Sequence, residues 1–538
     1  MSRTGRPAPG GARPAAPPLP LELPAVVAEQ EEPKPQLSPL RVAVAVAVVG
    51  GLGFGGYAGL RAKLAPSSPA GQATFFAPYV DVTLTPTYQF QSPASNPARQ
   101  SVLGFVVASS PGSCTPSWGA AYDLAQANQR IALRSRIAQL RGYGAAVVVS
   151  FGGAAHTSLD VACPSATALA GAYQSVIDTY GLSTIDLDVE GAALDSFAAE
   201  RRRSAAVRIL EDTAAREHRT LHVWLTLPVE PGGLQDNASS VVRAMLASRD
   251  RLTGIDVMAM DFATPPAGGA TMLDEVERAL TSTDAQLTRL LPRYGIELRP
   301  AQVWRRLGVT VMIGQNDVQG EHFTTADASG LVAFVRGKGM GRLSMWSLNR
   351  DQPCGASFGP VLSTTCSGTA QSGLQFADTF RQLQGVLAPT ASGSGILRAI
   401  TPDTNPANAP FPSWSPVASY PAAYKVVENG EIYQAKWYNS AQDPEAAYQY
   451  SWQSPWELLG PVLPSDHAPV IAAPAPGTYR GWSATTLYVA GQRVVYDRLA
   501  YQAKWSNQGV APGIDAVQEP SSPWQPLYVI PGEPVLGG

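Results

Sequence analysis

The stretch that decides the fold reads Ser183-Thr184-Ile185-Asp186-Leu187-Asp188-Val189-Glu190. From Ile185 onward, apolar residues and acids alternate strictly. Because the side chains of a β-strand alternate between its two faces, the three acids share one face and the three apolar residues share the other. The pattern predicts a strand that packs its apolar face under helices and points its acidic face into the interior of a barrel.

Around this strand, residues 74–388 alternate between short apolar, β-branched runs and longer helical stretches that contain Ala and Arg. That alternation is typical of a parallel sheet built from βα units. Eight strands are predicted: Phe75 to Val82, Val102 to Ala108, Ala145 to Ser150, Thr184 to Val189, Leu221 to Leu227, Ile255 to Met260, Leu307 to Ile313, and Leu343 to Leu348. They predict an α/β fold, a (β/α)8 TIM barrel, in which functional side chains gather where the strands end.

The stacking of three carboxyl groups predicts a proton donor. Asp186, Asp188 and Glu190 cannot all ionise cheaply in an interior of low dielectric, so a shared proton raises the pKa of at least one of them. A carboxyl group that keeps its proton near neutral pH can act as a general acid. A solvated acidic edge strand and a divalent-cation site are the alternatives that the pattern leaves open.

The same stretch resembles the DxxDxDxE signature of family 18 glycoside hydrolases, the chitinases and related endo-N-acetylglucosaminidases. The end of the preceding strand, Ser150-Phe151-Gly152-Gly153, resembles the SxGG motif of that family. Met258-Ala259-Met260-Asp261 is similar to its M-x-Y-D element, and Trp346 stands where the family has the Trp that floors the subsite of the sugar to be cleaved. The chain departs from the family at Ser183, which replaces the first acid, and at Met260, whose thioether cannot donate the hydrogen bond of a Tyr.

The resemblance implies a chitinase with a retaining, substrate-assisted mechanism, an exception to the two-carboxylate rule of most retaining glycosidases. Glu190 would protonate the leaving oxygen while the carbonyl oxygen of the substrate's 2-acetamido group attacks the anomeric carbon. Asp188 would orient that amide, and Asp186 would take up the proton that Asp188 releases. Endo action on chitin or chitooligosaccharides is favoured, and the mechanism requires neither a metal nor an organic cofactor.

Four further residues are candidates for substrate contacts. Met258 and Asp261 belong to the sixth-strand element, and Trp346 would offer its face to a sugar ring. Gln315 leads the polar cluster Gln315-Asn316-Asp317 after the seventh strand. An ordinary core role for Trp346 and an ordinary polar turn for the cluster remain open.

The composition of the chain argues against nucleic acid and metal ions as ligands. A net charge of −3 without a basic cluster gives no surface for a nucleic acid. The chain has four cysteines, Cys114, Cys163, Cys354 and Cys366, in none of the spacings that a structural zinc site needs, so no metal is expected. In an oxidising compartment, Cys354 and Cys366 would form one local disulfide and Cys114 and Cys163 the other; free thiols are the alternative.

The N-terminal part of the sequence predicts that the protein is exported from the cell. Residues 1–41 are rich in Pro, Ala and Glu and are expected to be disordered. Residues 42–60 contain no charge and fit a transmembrane signal anchor, a signal peptide or, as an alternative, a buried core helix, with residues 61–73 as a linker. We expect a bacterial extracellular protein, a monomer, that is either secreted or anchored to the outer face of the membrane through residues 42–60.

The C-terminal part contains an internal repeat. Residues 389–412 and 463–478 are Pro-rich linkers, and they separate two small units, residues 413–462 and 479–530. Five aromatic positions recur at an offset of 68 residues: Trp414 and Trp482, Tyr420 and Tyr488, Tyr433 and Tyr501, Trp437 and Trp505, Trp456 and Trp524. The recurrence predicts two all-β modules with the same fold.

These modules resemble carbohydrate-binding modules of families 5 and 12, through Y-x-A-K-W followed by P-W. The resemblance implies that Trp437 with Tyr438, and Trp505 in the second copy, stack on chitin, while Ser506 replaces the second aromatic there. Tyr433, Tyr501, Trp456 and Trp524 are expected in the module cores, because units this small need them for packing. Two alternatives to a chitinase remain: a catalytically inactive chitin-binding lectin, and an endo-β-N-acetylglucosaminidase that acts on glycans other than chitin.

Overall fold

A computed structural model describes residues 75–355, 362–384, 403–446, 453–464, 466–468, 470–513 and 521–533. The predicted tail 1–41, the hydrophobic segment 42–60, the linker 61–73 and residues 389–402 of the next linker lie outside this described part. Within it, no helix combines the length and the apolar character that a membrane crossing needs.

All eight predicted strands are found, with ends that agree within two residues. The strands of the larger sheet are β1 (Phe75–Phe76), β2 (Tyr79–Asp81), β3 (Gln100–Ala108), β4 (Pro116–Trp118), β5 (Tyr122–Asp123), β6 (Ala146–Gly152), β7 (Thr184–Asp188), β8 (His222–Pro228), β9 (Gly254–Met258), β10 (Leu307–Met312) and β13 (Arg342–Trp346), and the short pair β11 (Gly314–Gln315) and β12 (His322–Phe323) lies apart. Residues 77 and 78 interrupt the first predicted strand, and Pro78 has no N–H to donate to a sheet.

The sheet is parallel except at one edge, where β4 pairs antiparallel with both β3 and β5. Its order is β1-β13-β10-β9-β8-β7-β6-β3, and β2 pairs with β3. β1 and β2 are the two halves of the first predicted strand. One half pairs with β13, in the register Phe75 to Arg342, and the other pairs with β3, in the register Tyr79 to Val102.

Helices follow the strands and cover the outer face of the sheet. They span Leu124–Ile131, Leu133–Gly142, Leu159–Ala162, Ala166–Tyr180, Gly191–Leu194, Phe197–Arg216, Asp236–Ala247, Met272–Leu290, Pro300–Arg305, Thr325–Lys338 and Gln375–Phe380, with short 3₁₀ turns at Leu291–Tyr294, Leu348–Arg350, Arg381–Gln384 and Pro406–Asn408. Ser165 caps one of them by accepting a hydrogen bond from the Ala168 amide, and Gly181 ends it in a left-handed conformation. The apolar face of β7 is buried in the same core as these helices, as the alternation predicted.

Two disulfides join the predicted partners. Cys114 is bonded to Cys163 and Cys354 to Cys366, and the described residues hold no free cysteine. The first bond ties the segment after β3 to the segment after β6 and closes 49 residues of chain. By the chain-entropy relation, a loop of that length stabilises the folded state by about 4 kcal/mol.

The two C-terminal units contain short β-strands with equivalent contacts. The first has β14 (Ser419–Tyr420), β15 (Lys425–Glu428), β16 (Glu431–Ala435), β17 (Asn439–Ser440) and β18 (Trp456–Pro461), and the second has β19 (Arg480–Gly481), β20 (Arg493–Tyr496), β21 (Leu499–Ala503) and β22 (Trp524–Pro526). The indole N–H of Trp456 donates to the Gln442 carbonyl at 2.7 Å, and that of Trp524 donates to the Val510 carbonyl at 2.8 Å. These partners keep the offset of 68 residues, so the sequence repeat is also a structural repeat.

The expected core aromatics of the modules are confirmed. Trp456, Trp524 and Tyr501 are buried, and Tyr433 is partly buried against the core of the first module. In the first module the rings of Tyr420 and Trp456 are 5.1 Å apart, and in the second those of Tyr488 and Trp524 are 5.2 Å apart. Each core therefore uses the same aromatic pair.

The first module packs directly on the helix Leu133–Gly142. Ala132 shares a buried apolar cluster with residues of the module and with Ala409 and Phe411 of the predicted linker. A side chain at Gly460 would collide with the backbone of that helix. Because truncation would expose this interface, point substitutions test the module's function more cleanly than deletion does.

Candidate active site

The acids of β7 lie on one face, as the alternation predicted. Asp186 is fully buried and Asp188 is 4 % exposed. Glu190 lies two residues beyond the end of the strand and is partly exposed. The chain thus carries a series of carboxyl groups from the interior of the domain to the C-terminal edge of the sheet.

Asp186 accepts hydrogen bonds from four other strands. Tyr79 and Ser150 donate their hydroxyls to Oδ2 at 2.8 and 2.7 Å. Thr226 donates to Oδ1 at 2.8 Å, and Arg342 donates from Nη1 to the same oxygen at 2.6 Å. A carboxylate offers about four acceptor positions, so these donors occupy its whole capacity.

Asp188 and Glu190 hold protons much more strongly than ordinary carboxyl groups. Burial raises the pKa of Asp188 well above its usual value, and the charges of Glu190 and Asp186 raise it further. Burial also raises the pKa of Glu190 to about 7, with a contribution from the Asp261 carboxylate. Glu190, at the open end of the series, thus has the pKa that a general acid needs near neutral pH.

The SxGG segment lies against the backbone of Asp188. Gly153 donates its amide hydrogen to the Asp188 carbonyl at 3.1 Å. Gly152 has φ +110°, and a Cβ at that position would overlap the same carbonyl oxygen. These two residues allow β6 to approach the strand end that carries the acids.

Gly152→Ala is expected to lower the free energy of unfolding by at least about 2 kcal/mol, because the new Cβ must displace the Asp188 backbone. Any activity of the acids should fall with it. Urea unfolding measures the first effect. Gly171→Ala is the matched control, since Gly171 lies in the helix Ala166–Tyr180 with open space around it. Equal stabilities of the two variants would contradict the prediction.

Asp261 connects the segments that follow β9 and β10. Its Oδ1 accepts hydrogen bonds from the amides of Asp317 and Val318 at 2.8 and 3.2 Å. Burial raises its pKa, and the neighbouring Asp317 raises it further. The buried Glu321 accepts a hydrogen bond from the Phe262 amide at 2.8 Å, next to Asp261. Backbone donors thus hold Asp261 in place, and its negative charge raises the pKa of Glu190.

Gln315 and the polar residues after it mostly stabilise their own turn. The side-chain amide of Gln315 donates to the carbonyls of Asn316 and Glu321, at 3.0 and 3.1 Å. The Asn316 side chain is buried and donates to the carbonyls of Met312 and Gly314. The polar-turn alternative therefore accounts for these contacts, and substrate binding by Gln315 stays a prediction.

Trp346 ends β13 and contributes to an aromatic cluster at the C-terminal edge. It is partly exposed, and its ring lies 5.5 Å from that of Phe105 and 6.2 Å from that of Tyr79. Tyr79 is the residue that donates to Asp186. Met258 and Met260 are also partly exposed, at the end of β9 and just beyond it. All three side chains lie near strand ends, where a substrate contact was predicted.

Sequence reasoning missed Arg342 and Asp256. Both are fully or almost fully buried, and Nη2 of Arg342 lies 3.6 Å from Oδ2 of Asp256. Each interrupts an apolar strand with a charge, which is a usable signal, because a buried charge needs a partner of the opposite sign. Functional residues of a barrel are expected at the C-terminal ends of its strands, so the first residue of a strand is not considered as a candidate. Arg342 is the first residue of β13.

The predicted sugar-stacking residues are exposed. Trp437 and Trp505 expose 43 % and 45 % of their surface and Tyr438 exposes 64 %. The ammonium group of Lys436 lies over the Trp437 ring at 5.2 Å, and that of Lys504 lies over the Trp505 ring at 4.7 Å. Both modules thus present an indole that the core does not use.

Under the predicted role in sugar stacking, Trp437→Ala and Tyr438→Ala are each expected to raise the Kd for insoluble chitin about tenfold, because each removes an exposed aromatic face and leaves the core of the module intact. Trp505→Ala should have a smaller effect, since Ser506 offers no second ring. Depletion binding on chitin particles measures these values. Tyr143→Ala, which removes an exposed aromatic outside the modules, is the control. If all three module variants bound chitin particles as strongly as the wild type, the predicted sugar-stacking role of these residues would be wrong.

Among the residues that the structure describes, no three His, Cys, Asp or Glu side chains are grouped so that they could hold a metal ion. Asp186 faces hydroxyl donors and a guanidinium group, as described above.

Comparison with known proteins finds similarity to chitinases, although no family model matches the chain. The protein is 30 % identical over 314 residues to an Escherichia coli (strain K12) protein named "Probable bifunctional chitinase/lysozyme", covering 57 % of this chain and 34 % of the relative. It is 29 % identical over 307 residues to Endochitinase 11 of Metarhizium anisopliae, covering 56 % of this chain and 57 % of the relative.

A solved structure with partial similarity is the catalytic domain of the hyperthermophilic chitinase from Pyrococcus furiosus. It is 24 % identical, with a TM-score of 0.49, and the match covers 58 % of this chain and 95 % of that one. The match to the two curated relatives spans about a third of one and just over half of the other.

Proposed function

We propose that the protein is a chitinase that hydrolyses β-1,4 linkages between N-acetylglucosamine units by a retaining, substrate-assisted mechanism. The observation that carries the proposal is the pair of Asp188 and Glu190, one buried and one partly exposed, at the end of the fourth predicted strand. The pKa of Glu190, raised to about 7 by burial, suits a general acid near neutral pH. The names of the curated relatives support the same class of reaction.

The fold that we propose for this site is a closed (β/α)8 barrel. Arg342 of β13 and Asp186 of β7 are four strands apart in the sheet order, which in a flat sheet would separate them by about 19 Å. Their side chains are 2.6 Å apart. The split first strand, which pairs at one half with β13 and at the other with β3, supports closure as well.

In the proposed reaction, the Glu190 carboxyl donates its proton to the glycosidic oxygen as the bond from that oxygen to the anomeric carbon breaks. The carbonyl oxygen of the 2-acetamido group forms the new bond to the same carbon and gives a cyclic oxazolinium ion. Asp188 lies beside the acid and orients the amide. Water then attacks the anomeric carbon, Glu190 takes its proton, and the product keeps the original anomeric configuration.

The modules and the aromatic strand ends support a polymeric substrate. Trp346 would stack on the sugar in the cleft, with Met258 and Asp261 nearby, and Trp437, Tyr438 and Trp505 would hold the chitin chain. Linked modules raise avidity on an insoluble polymer even when each one binds weakly. The two disulfides support an extracellular location, and membrane attachment through residues 42–60 belongs to the same proposal.

Met260 supports a second candidate, a chitin-binding lectin with little or no hydrolytic activity. Its side chain cannot donate a hydrogen bond to the acetamido group, where the family resemblance places a Tyr hydroxyl. A lectin would bind chitin oligosaccharides without consuming them. The presence of Glu190 with its raised pKa favours the enzyme.

Incubation of the full chain with N-acetylglucosamine oligomers decides between the two. We expect shorter oligomers, and proton NMR at early times should show the β-anomer first. Release of the α-anomer would exclude the retaining mechanism, and binding without product would favour the lectin. Parallel incubations with an N-glycan core and with peptidoglycan test the alternative substrates.

A further inference from the structure

The interface between the first C-terminal module and the barrel is closely packed. Leu459 of the module shares a buried apolar cluster with Ala132, the residue before the helix Leu133–Gly142. Gly460 follows, and a Cβ at this position would lie 2.3 Å from the Ser135 carbonyl oxygen of the helix. The backbone of the module therefore meets the backbone of the helix with no room for a side chain between them.

Arg136 of the same helix organises a second part of the interface. It is 1 % exposed, and its guanidinium group lies over the Phe90 ring, 4.3 Å from the ring centre. Its Nε donates to the side-chain oxygen of Gln91 at 2.9 Å. The side-chain amide of Gln91 donates in turn to the Leu458 carbonyl of the module at 3.2 Å. A buried cation of the barrel thus holds the residue that binds the backbone of the module.

Two acids on the module side of the interface have partners on the barrel side. The Glu457 carboxylate accepts a hydrogen bond from the Ser92 side chain and is attracted by the charge of Arg136. Asp466 is 2 % exposed and accepts a hydrogen bond from the Asn128 side-chain amide at 2.9 Å. Because a buried acid is costly without such partners, these contacts favour one arrangement of the module over others.

The second module has different residues at the positions of this interface. At the offset of 68 residues, Gln525 replaces Glu457 and Tyr528 replaces Gly460. An amide carries no charge for the buried guanidinium group to attract, and a Tyr side chain would overlap the backbone of the helix. The two copies therefore share a core and differ at this surface, which indicates that docking on the barrel is a specialised property of the first module.

We propose that the first module is a fixed substrate-binding extension of the catalytic domain, and that Arg136 and Glu457 are the residues that position it. The inference rests on the proposed function and deepens it. Docking keeps the exposed Trp437 and Tyr438 at a constant distance from Glu190. A chitin chain that stacks on the two aromatic residues is then held in a defined position relative to the acid.

A docked module and a tethered module affect the reaction differently. A flexible tether of about 24 residues, the number between Gln384 and Ala409, would let a module range over about 27 Å. Such a module raises the local concentration of the polymer, but each chain still has to find the cleft by diffusion. A docked module also restricts the orientation of the chain, which lowers the entropy cost of a productive encounter. Only substrates long enough to reach both sites gain from this.

The first measurement tests whether the module is docked in solution. The four cysteines of the chain form two disulfides, so added cysteines can be labelled selectively. Spin labels on Asp178→Cys of the barrel and Val417→Cys of the module, both exposed positions, report the distance between the two by pulsed electron paramagnetic resonance. We expect one narrow distance distribution in the full chain and a broad one after Gly460→Tyr. A broad distribution without that substitution overturns the proposal.

The second measurement tests the effect of docking on the reaction. In Gly460→Tyr, kcat/KM on a soluble chitin polymer should fall about tenfold, because the chain is no longer held relative to the acid. The value on the N-acetylglucosamine tetramer and the Kd for chitin particles should stay within about twofold of the wild type. Gly481→Tyr is the matched control, since it adds the same ring at an open position of the second module.

The double variant Glu457→Gln, Asp466→Asn weakens the interface with smaller changes of side chain, and it replaces Gly460→Tyr if that variant does not fold. The loss of rate on the polymer should follow the fraction of narrow distances that is lost. A rate unrelated to this fraction overturns the proposal, and so does an equal loss on polymer and tetramer, which would indicate damage to the barrel. If the wild type cleaves neither substrate, the proposed function fails, and the distance measurement still decides whether the module is docked.

Discussion

Glu190→Gln is expected to lower kcat on chitin oligosaccharides by about 10²- to 10⁴-fold, with KM within a few-fold of the wild type. The amide keeps the size of the carboxyl group and removes the proton that the leaving oxygen needs. Initial rates of oligomer cleavage measure the effect. Glu211→Gln is the control, since Glu211 is a buried carboxyl on the helix Phe197–Arg216, outside the site.

The pH dependence follows from the same group. The pKa of Glu190 is raised to about 7, first by burial and then by Asp261. Because the reaction needs the protonated form, kcat/KM should fall as the pH rises through about 7. Asp261→Asn should move this alkaline limb to lower pH, since it removes a negative charge that favours the proton. A rate profile that is flat from about pH 6 to about pH 9 would contradict the assignment of Glu190 as the acid.

Asp188→Asn has the second largest expected effect, a fall in kcat of about 10²- to 10³-fold. The side chain keeps its volume in the buried site, but it can no longer become the anion that stabilises the positive charge of the oxazolinium ion. The alkaline limb near pH 7 should remain, because burial and Asp261 are what raise the pKa of Glu190. Single-turnover rates separate this loss from any change in product release.

Asp195→Asn provides the matched control, because Asp195 is an exposed acid in the segment that follows Glu190. Calorimetric titration of each variant with an N-acetylglucosamine oligomer tests whether the substrate still binds. A loss of binding as large as the loss of rate would show that Asp188 holds the ground state and not the transition state. An Asp188→Asn variant with wild-type kcat would exclude substrate assistance through this residue.

Much of the fold could be predicted because its signals are local. Alternation in Ile185 to Glu190 determines which face each side chain takes, whatever surrounds the strand. The eight strands follow from runs of apolar, β-branched residues, and the repeat at 68 residues predicts two units with the same core. The pairing of the cysteines was limited to few arrangements by their number and separation, and the expected one is present.

The parts that could not be predicted depend on contacts between distant segments. Arg342 meets Asp186 across 156 residues of sequence, and Gln91 of the segment after β2 donates to the Leu458 carbonyl of the first module at 3.2 Å. Neither contact leaves a periodic pattern in the chain. The docking of that module on the helix Leu133–Gly142 is unpredicted for the same reason.

The sequence by itself determined where β7 lies, which of its side chains share a face, and that Glu190 follows its open end. Each of these depends only on neighbouring residues. The tertiary structure decided the electrostatic state of the acids. Whether a buried carboxyl group is neutralised by a cation, saturated with hydroxyl donors or left to keep its proton depends on which side chains reach it from other strands. Asp186 meets a guanidinium group and Asp188 does not, and that difference arises only when the strands are brought together.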